Sequence, residues 1–177
     1  VVPPADLLIK LHNLVGIKLK KALAGESFIN SHFLATDICF ALPEFFKQEV
    51  LAIVLSQLFD QAGRLPRLFM RSVLESLKAH PSLSSFINSL LNRLVSKQIW
   101  KDSKLWEGYV KAVVKTFPNS LPILLALPKQ YALDILKQSA DLCQDLALYL
   151  EQLPVHQQKR REVGVLTNLV SDANKQL

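Results

Sequence analysis

The stretch KQIWKDSKLWEGY (97–109) holds both tryptophans of the chain, six residues apart and set among three lysines. Aromatics interleaved with cations can form a platform for stacking nucleic-acid bases. Large rings at a helix–turn–helix corner also fill a core well. The residues that follow decide between the two. From 103 to 117 the apolar positions Trp106, Val110, Val113, Val114 and Phe117 recur at i, i+4, i+7, i+8 and i+11. Lys104, Lys111 and Lys115 fall on the opposite face. That period belongs to an amphipathic helix, and it puts Trp106 on the buried stripe. Trp100 lies in the link before the helix, where Asp102 or Ser103 can cap the first turn. Both rings are therefore expected to pack a corner.

The same period extends outward in both directions. Residues 68–78 align Met70, Val73, Leu74 and Leu77. Residues 83–98 align Leu83, Ile87, Leu90, Leu91, Leu94 and Val95, and 141–153 align Leu142, Leu146, Tyr149, Leu150 and Leu153. The run from Phe46 to Phe59 is apolar nearly all round, which predicts a central helix covered on both sides. Pro43, Gly63 to Pro66, Pro81, Pro118, Pro128 and Pro154 fall between these runs and read as punctuation. No sustained alternation, Asn-Gly or Asp-Gly turn marks a sheet. The expected fold is all-α, with about eight to ten helices of about 10–18 residues. Short links make neighbours antiparallel, so helix hairpins in a HEAT- or armadillo-like array are expected. The 177 residues, half of them hydrophobic, fit one domain over 1–177. A start without Met reads as a C-terminal fragment of something longer.

Charge is unevenly spread around a net of +6. Residues 64–118 carry ten Lys/Arg against three Asp/Glu, whereas 26–63 carry one lysine against five acids. A field of this kind favours an acidic partner surface or a phosphate backbone. The clusters KLKKAL (18–23) and QQKRRE (157–162) read as solvated faces. Nothing in the motifs points to catalysis. His12, His32, His80 and His156 belong to no HxxxH, HExxH or Cys/His cluster, and the five glycines form no phosphate loop. Cys39 and Cys143, 104 positions apart without CxxC partners, read as buried free thiols and not as metal ligands. No apolar run approaches the roughly 18 residues of a membrane span. The expectation is a chain with no catalytic residues, no metal and no cofactor.

A partner surface is legible in the basic band. Arg93 and Lys97 lie one turn apart on the flank of the 83–98 stripe, with Phe86 close to them on the helical wheel. Arg64 and Arg67 precede the neighbouring helix, and Lys101 and Lys104 bracket the following turn. Together they are expected to form a basic rim around an aromatic, the arrangement of apolar anchor and charged margin that interfaces favour. Direct RNA binding through 64–118 is the alternative.

The segments LPRLFMRSVLESL (65–77), LVSKQIW (94–100) and KLWEGYVK (104–111) resemble the C-terminal domain of the symplekin family. PPADLLIKLHNL (3–14), DICF (37–40), EVLAIVLSQL (49–58) and FPNSLPILLALPKQ (117–130) extend the resemblance in order, while the tail KRREVGVLTNLV (159–170) matches poorly. The resemblance implies a HEAT-like, non-catalytic scaffold of the nuclear mRNA 3′-end cleavage and polyadenylation machinery. It implies docking of the C-terminal regions of the endonuclease subunit and its inactive homologue, with the cleavage stimulation factor as a further partner and no membrane contact. The rim would then receive an acidic, apolar-containing helical segment of that pair.

Overall fold

Each apolar stripe becomes a helix with one shielded face, and the prolines become the reversals. The computed structural model describes residues 2–16, 34–61 and 64–175. They form α1 (Pro4–Gly16), α2 (34–40), α3 (Gln48–Asp60), α4 (Phe69–Ala79), α5 (Ser84–Ser96) and α6 (Ser103–Lys115). After these come α7 (Leu121–Ala126), α8 (Lys129–Gln138), α9 (Ala140–Glu151), α10 (Val155–Gln158) and α11 (Arg161–Asn174). Short 3-10 turns, Pro81–Leu83 and Ile99–Lys101, join α4 to α5 and α5 to α6. The fold is all-helical, with no strand among the described residues, and is compatible with a HEAT-like array. The helices outnumber the expectation because two short ones, α7 and α10, occupy stretches first read as turns. Proline explains both: Pro122 sits in the first turn of α7 and Pro154 caps α10, positions where a missing N–H costs nothing.

Cross-links between helix ends fix the direction of the central four. At one end, His80 Nε2–H donates to the Phe46 carbonyl at 3.1 Å and Ser82 donates to Gln48 at 2.6 Å. At the other, Arg93 reaches Asp60 at 2.8 Å and Lys97 donates to the Phe59 carbonyl at 2.5 Å. Helices α3 and α5 therefore run the same way, with α4 returning between them. Tyr109 of α6 donates to the Leu91 carbonyl midway along α5 at 3.2 Å, so α6 also returns. Residues 64–68 and 97–102 consequently lie at the same end.

One contiguous apolar cluster runs from Leu8 in α1 to Ala173 in α11. Its stripes are those read from the periodicity, with one correction. Helix α3 buries Leu51, Val54, Leu55, Leu58 and Phe59, but Ile53 is 49% exposed beside Glu49 and Gln57. The helix therefore keeps one face open to solvent, with Ile53 set among Glu49, Gln57 and Asp60. The last helix packs on α8 and α9 and is tied back by Lys129–Asp172 at 2.7 Å and by Cys143 Sγ on Asn174 Oδ1 at 3.6 Å.

Helices α4 and α6 cross closely at a glycine. A Cβ on Gly108 would stand 2.6 Å from the Met70 Cβ, which is backbone-anchored and cannot swing away. Gly164, in α11, meets nothing within 4 Å. Gly108→Ala should therefore destabilise by about 1–3 kcal/mol through overpacking. Gly164→Ala should stabilise by about 0.5–1 kcal/mol by removing backbone freedom from the unfolded chain. Urea melts of the two variants check the contrast; equal effects would contradict the close crossing.

Candidate partner-binding surface

The corner that opened the sequence is packed. Asp102 caps α6, its Oδ1 accepting from the Lys104 and Leu105 amides at 3.2 and 3.3 Å. Trp106 stacks on Tyr109 at 5.3 Å and meets Tyr131 edge-on at 5.7 Å, while its indole N–H donates to Asp134 at 2.7 Å. Trp100 stacks on Tyr131 at 4.6 Å. The two tryptophans thus clamp α8 to the α5–α6 corner. Two participants were not singled out from sequence. Tyr109 is fully buried, and its position three residues after Trp106 on the same stripe could have revealed it. Asp134 carries no local signal, since its role depends on where α8 lands.

The titratable groups do structural work. His12 is fully buried between α1 and α4: Nδ1–H donates to the Leu8 carbonyl at 2.7 Å, and Nε2 accepts from Ser72 at 2.8 Å. Burial lowers its pKa, opposed in part by the carbonyls of Leu8 and Leu68, so it is a neutral strut. His80 terminates α4, as its place before Pro81 implied. His156 is exposed, and His32 lies outside the described residues. Cys39 and Cys143 are buried free thiols, both pushed up in pKa by desolvation. Among the described residues no group of three or more His, Cys, Asp or Glu could hold a metal, and no helix is long and apolar enough to cross a membrane.

The expected rim is assembled differently from the wheel. Arg64, Arg67, Arg93, Lys97, Lys101 and Lys104 are all exposed, and all belong to the shared end of α3–α6. The aromatic beneath the cations is Phe59 and not Phe86. Arg93 and Lys97 lie 4.1 and 4.2 Å above its ring, which is itself buried in α3. Phe86 is half-buried and packs on the core. A single-helix wheel places Phe86 at the right angle but cannot see the neighbouring helix that supplies the ring. Arg93 and Lys97 also hold the C-terminal end of α3, where a cation over the last carbonyls is favourable.

A second surface was not singled out. Leu34 and Ile38, one turn apart on α2, are followed by Leu42 and Phe45 in the segment after the helix, and these four are between 38% and 62% exposed. Thr36 and Cys39 on the opposite face are buried. Asp37 is bound by Arg71 at 2.7 and 2.8 Å, and the charged residues exposed next along the chain are Glu44, Lys47 and Glu49. The i, i+4, i+8 spacing was visible in the sequence; which of the two faces of α2 is the inner one was not.

Two outcomes follow from this geometry. Trp106→Ala should destabilise by about 3–5 kcal/mol, since it opens the corner and leaves Asp134 without its indole donor. A melting midpoint left in place would mean that the ring is peripheral. For His12, the unfolded chain takes up a proton at about pH 6.5 while the folded chain resists it, so stability is full above that value and declines below it. Urea melts from about pH 7.5 to 5.5 should show this decline, and His12→Gln should flatten it.

No solved structure matches the chain. The family model described as the C terminal of the symplekin tight junction protein matches residues 1–139, from the first residue through α8. The matched span takes in the α3–α6 end, the tryptophan corner and the apolar stripe of α2, and on that match the chain belongs to the symplekin C-terminal family.

Proposed function

We propose that the chain is a non-catalytic scaffold module of the nuclear pre-mRNA 3′-end cleavage and polyadenylation machinery. It docks the C-terminal regions of the endonuclease subunit and its inactive homologue, with the cleavage stimulation factor as a further partner. Family membership supports the scaffold role. The observation that carries protein docking is the exposed run Leu34–Ile38–Leu42–Phe45. Contiguous apolar surface of this kind marks interaction sites, because water is excluded only when a partner covers it. Interfaces place such anchors at the centre and charge at the margin, and the exposed Glu44, Lys47 and Glu49 supply a margin of mixed sign.

Ile38→Asp and Phe45→Asp test this reading. Both positions face solvent, so the melts should be unchanged. Titration with the C-terminal regions of the endonuclease pair should show affinity reduced by at least about tenfold, or 1.4 kcal/mol, as expected for anchor residues. Undiminished affinity in both folded variants would move the docking site away from α2.

A further inference from the structure

The shared end of α3–α6 carries a charge arrangement that protein docking on α2 does not use. Arg64 and Arg67 in one link, and Lys101 and Lys104 around the other, are exposed, and their side chains have no hydrogen-bond or ion-pair partner among the described residues. Of the carboxylates at this end, Asp60 is paired with Arg93, Asp102 caps α6 between Lys101 and Lys104, and Asp134 of α8 accepts from Trp106. Four unpaired cations on two adjoining links therefore outnumber the carboxylate set among them, Asp102, and Lys97 and Arg93 stand beside them. A polyanion laid across the links relieves their mutual repulsion and releases its own condensed counterions.

Two polyanions differ in what else they require. An acidic protein segment needs an apolar anchor at the centre of its interface. The large exposed apolar side chains of the described residues lie before residue 54 or in α9 and α11, and none is on these links. Phe59 is covered by its two cations, Phe86 is packed inward, and Trp100 is half-buried against Tyr131. A phosphate backbone needs no anchor. The absence of an open ring also removes base stacking, and with it a source of base preference. We infer that this end of the domain binds the phosphate backbone of single-stranded RNA without base preference.

The test is fluorescence anisotropy of labelled oligouridylate and oligoadenylate of about 20 nucleotides, titrated with the whole chain. The two oligomers should bind within a few-fold of each other. With four phosphates contacted and about 0.7 counterions released for each, affinity should fall about 50-fold between about 50 and 200 mM salt. Replacing Arg64, Arg67, Lys101 and Lys104 together by Gln should reduce affinity at least about tenfold with the melt unchanged. If that variant is destabilised, the separate pairs R64Q/R67Q and K101Q/K104Q should each lose part of the binding. Lys159→Gln with Arg160→Gln and Arg161→Gln, in the other basic cluster, should leave affinity intact. RNA binding undiminished in the folded variants would overturn the inference. So would an oligoglutamate of equal length binding as tightly as RNA, which would make an acidic protein segment the ligand. No partner protein enters this experiment, so its failure is separable from failure of docking on α2.

Discussion

Helix α4 meets α1, α2, α3, α5 and α6, and the rest of the molecule is arranged around what it can accept. Ser72 takes the His12 imidazole from α1, Arg71 takes Asp37 from α2, and Met70 lies against Gly108 of α6. These three residues are consecutive, so a single turn of α4 fixes the azimuth of three other helices. The turn is intolerant for a packing reason: interiors are filled to crystal-like density, and the approach of α6 leaves no room for one more carbon. A displaced α6 would carry the tryptophan corner with it, and α8 is held to that corner through Trp106–Asp134.

The sequence disclosed what depends on a single helix. The stripes of α4, α5, α6 and α9 were legible because helical period alone decides which side chains share a face. Asp102 was legible because a cap acts within three residues. Pairings between helices were hidden. Phe86 and Phe59 are both plausible companions for Arg93 and Lys97, and only the return of α3 alongside α5 chooses Phe59. Ile53 was assigned to the interior because an apolar residue on an apolar helix carries no mark of which neighbour is missing. The stripe of α2 stayed unnoticed for the same reason: its residues are ordinary core types, and their exposure belongs to the assembly.

The two surfaces divide along chemistry. The α2 stripe is apolar with a margin of mixed sign, and the shared end of α3–α6 is cationic without an apolar centre. Burial of apolar area is little affected by salt, whereas phosphate contact depends on it steeply. The two proposed contacts would therefore answer to salt in opposite degree. Arg93 and Lys97 complicate simple charge reversal as a probe of this end. Both are fastened to α3, so their loss would loosen the fold as well as the field.

The family pattern stops at residue 139, yet the apolar cluster continues through α9 and α11 to Ala173. Ala132, Ile135 and Leu136 of α8 are completely shielded, and α11 packs along that helix. Shared ancestry and cooperative folding therefore draw different borders on this chain. Side chains after 139 need only remain apolar at the inner positions, Leu142, Leu146, Leu166 and Leu169 among them, to close the core. The closing role asks of these positions apolar volume and not a particular chemistry.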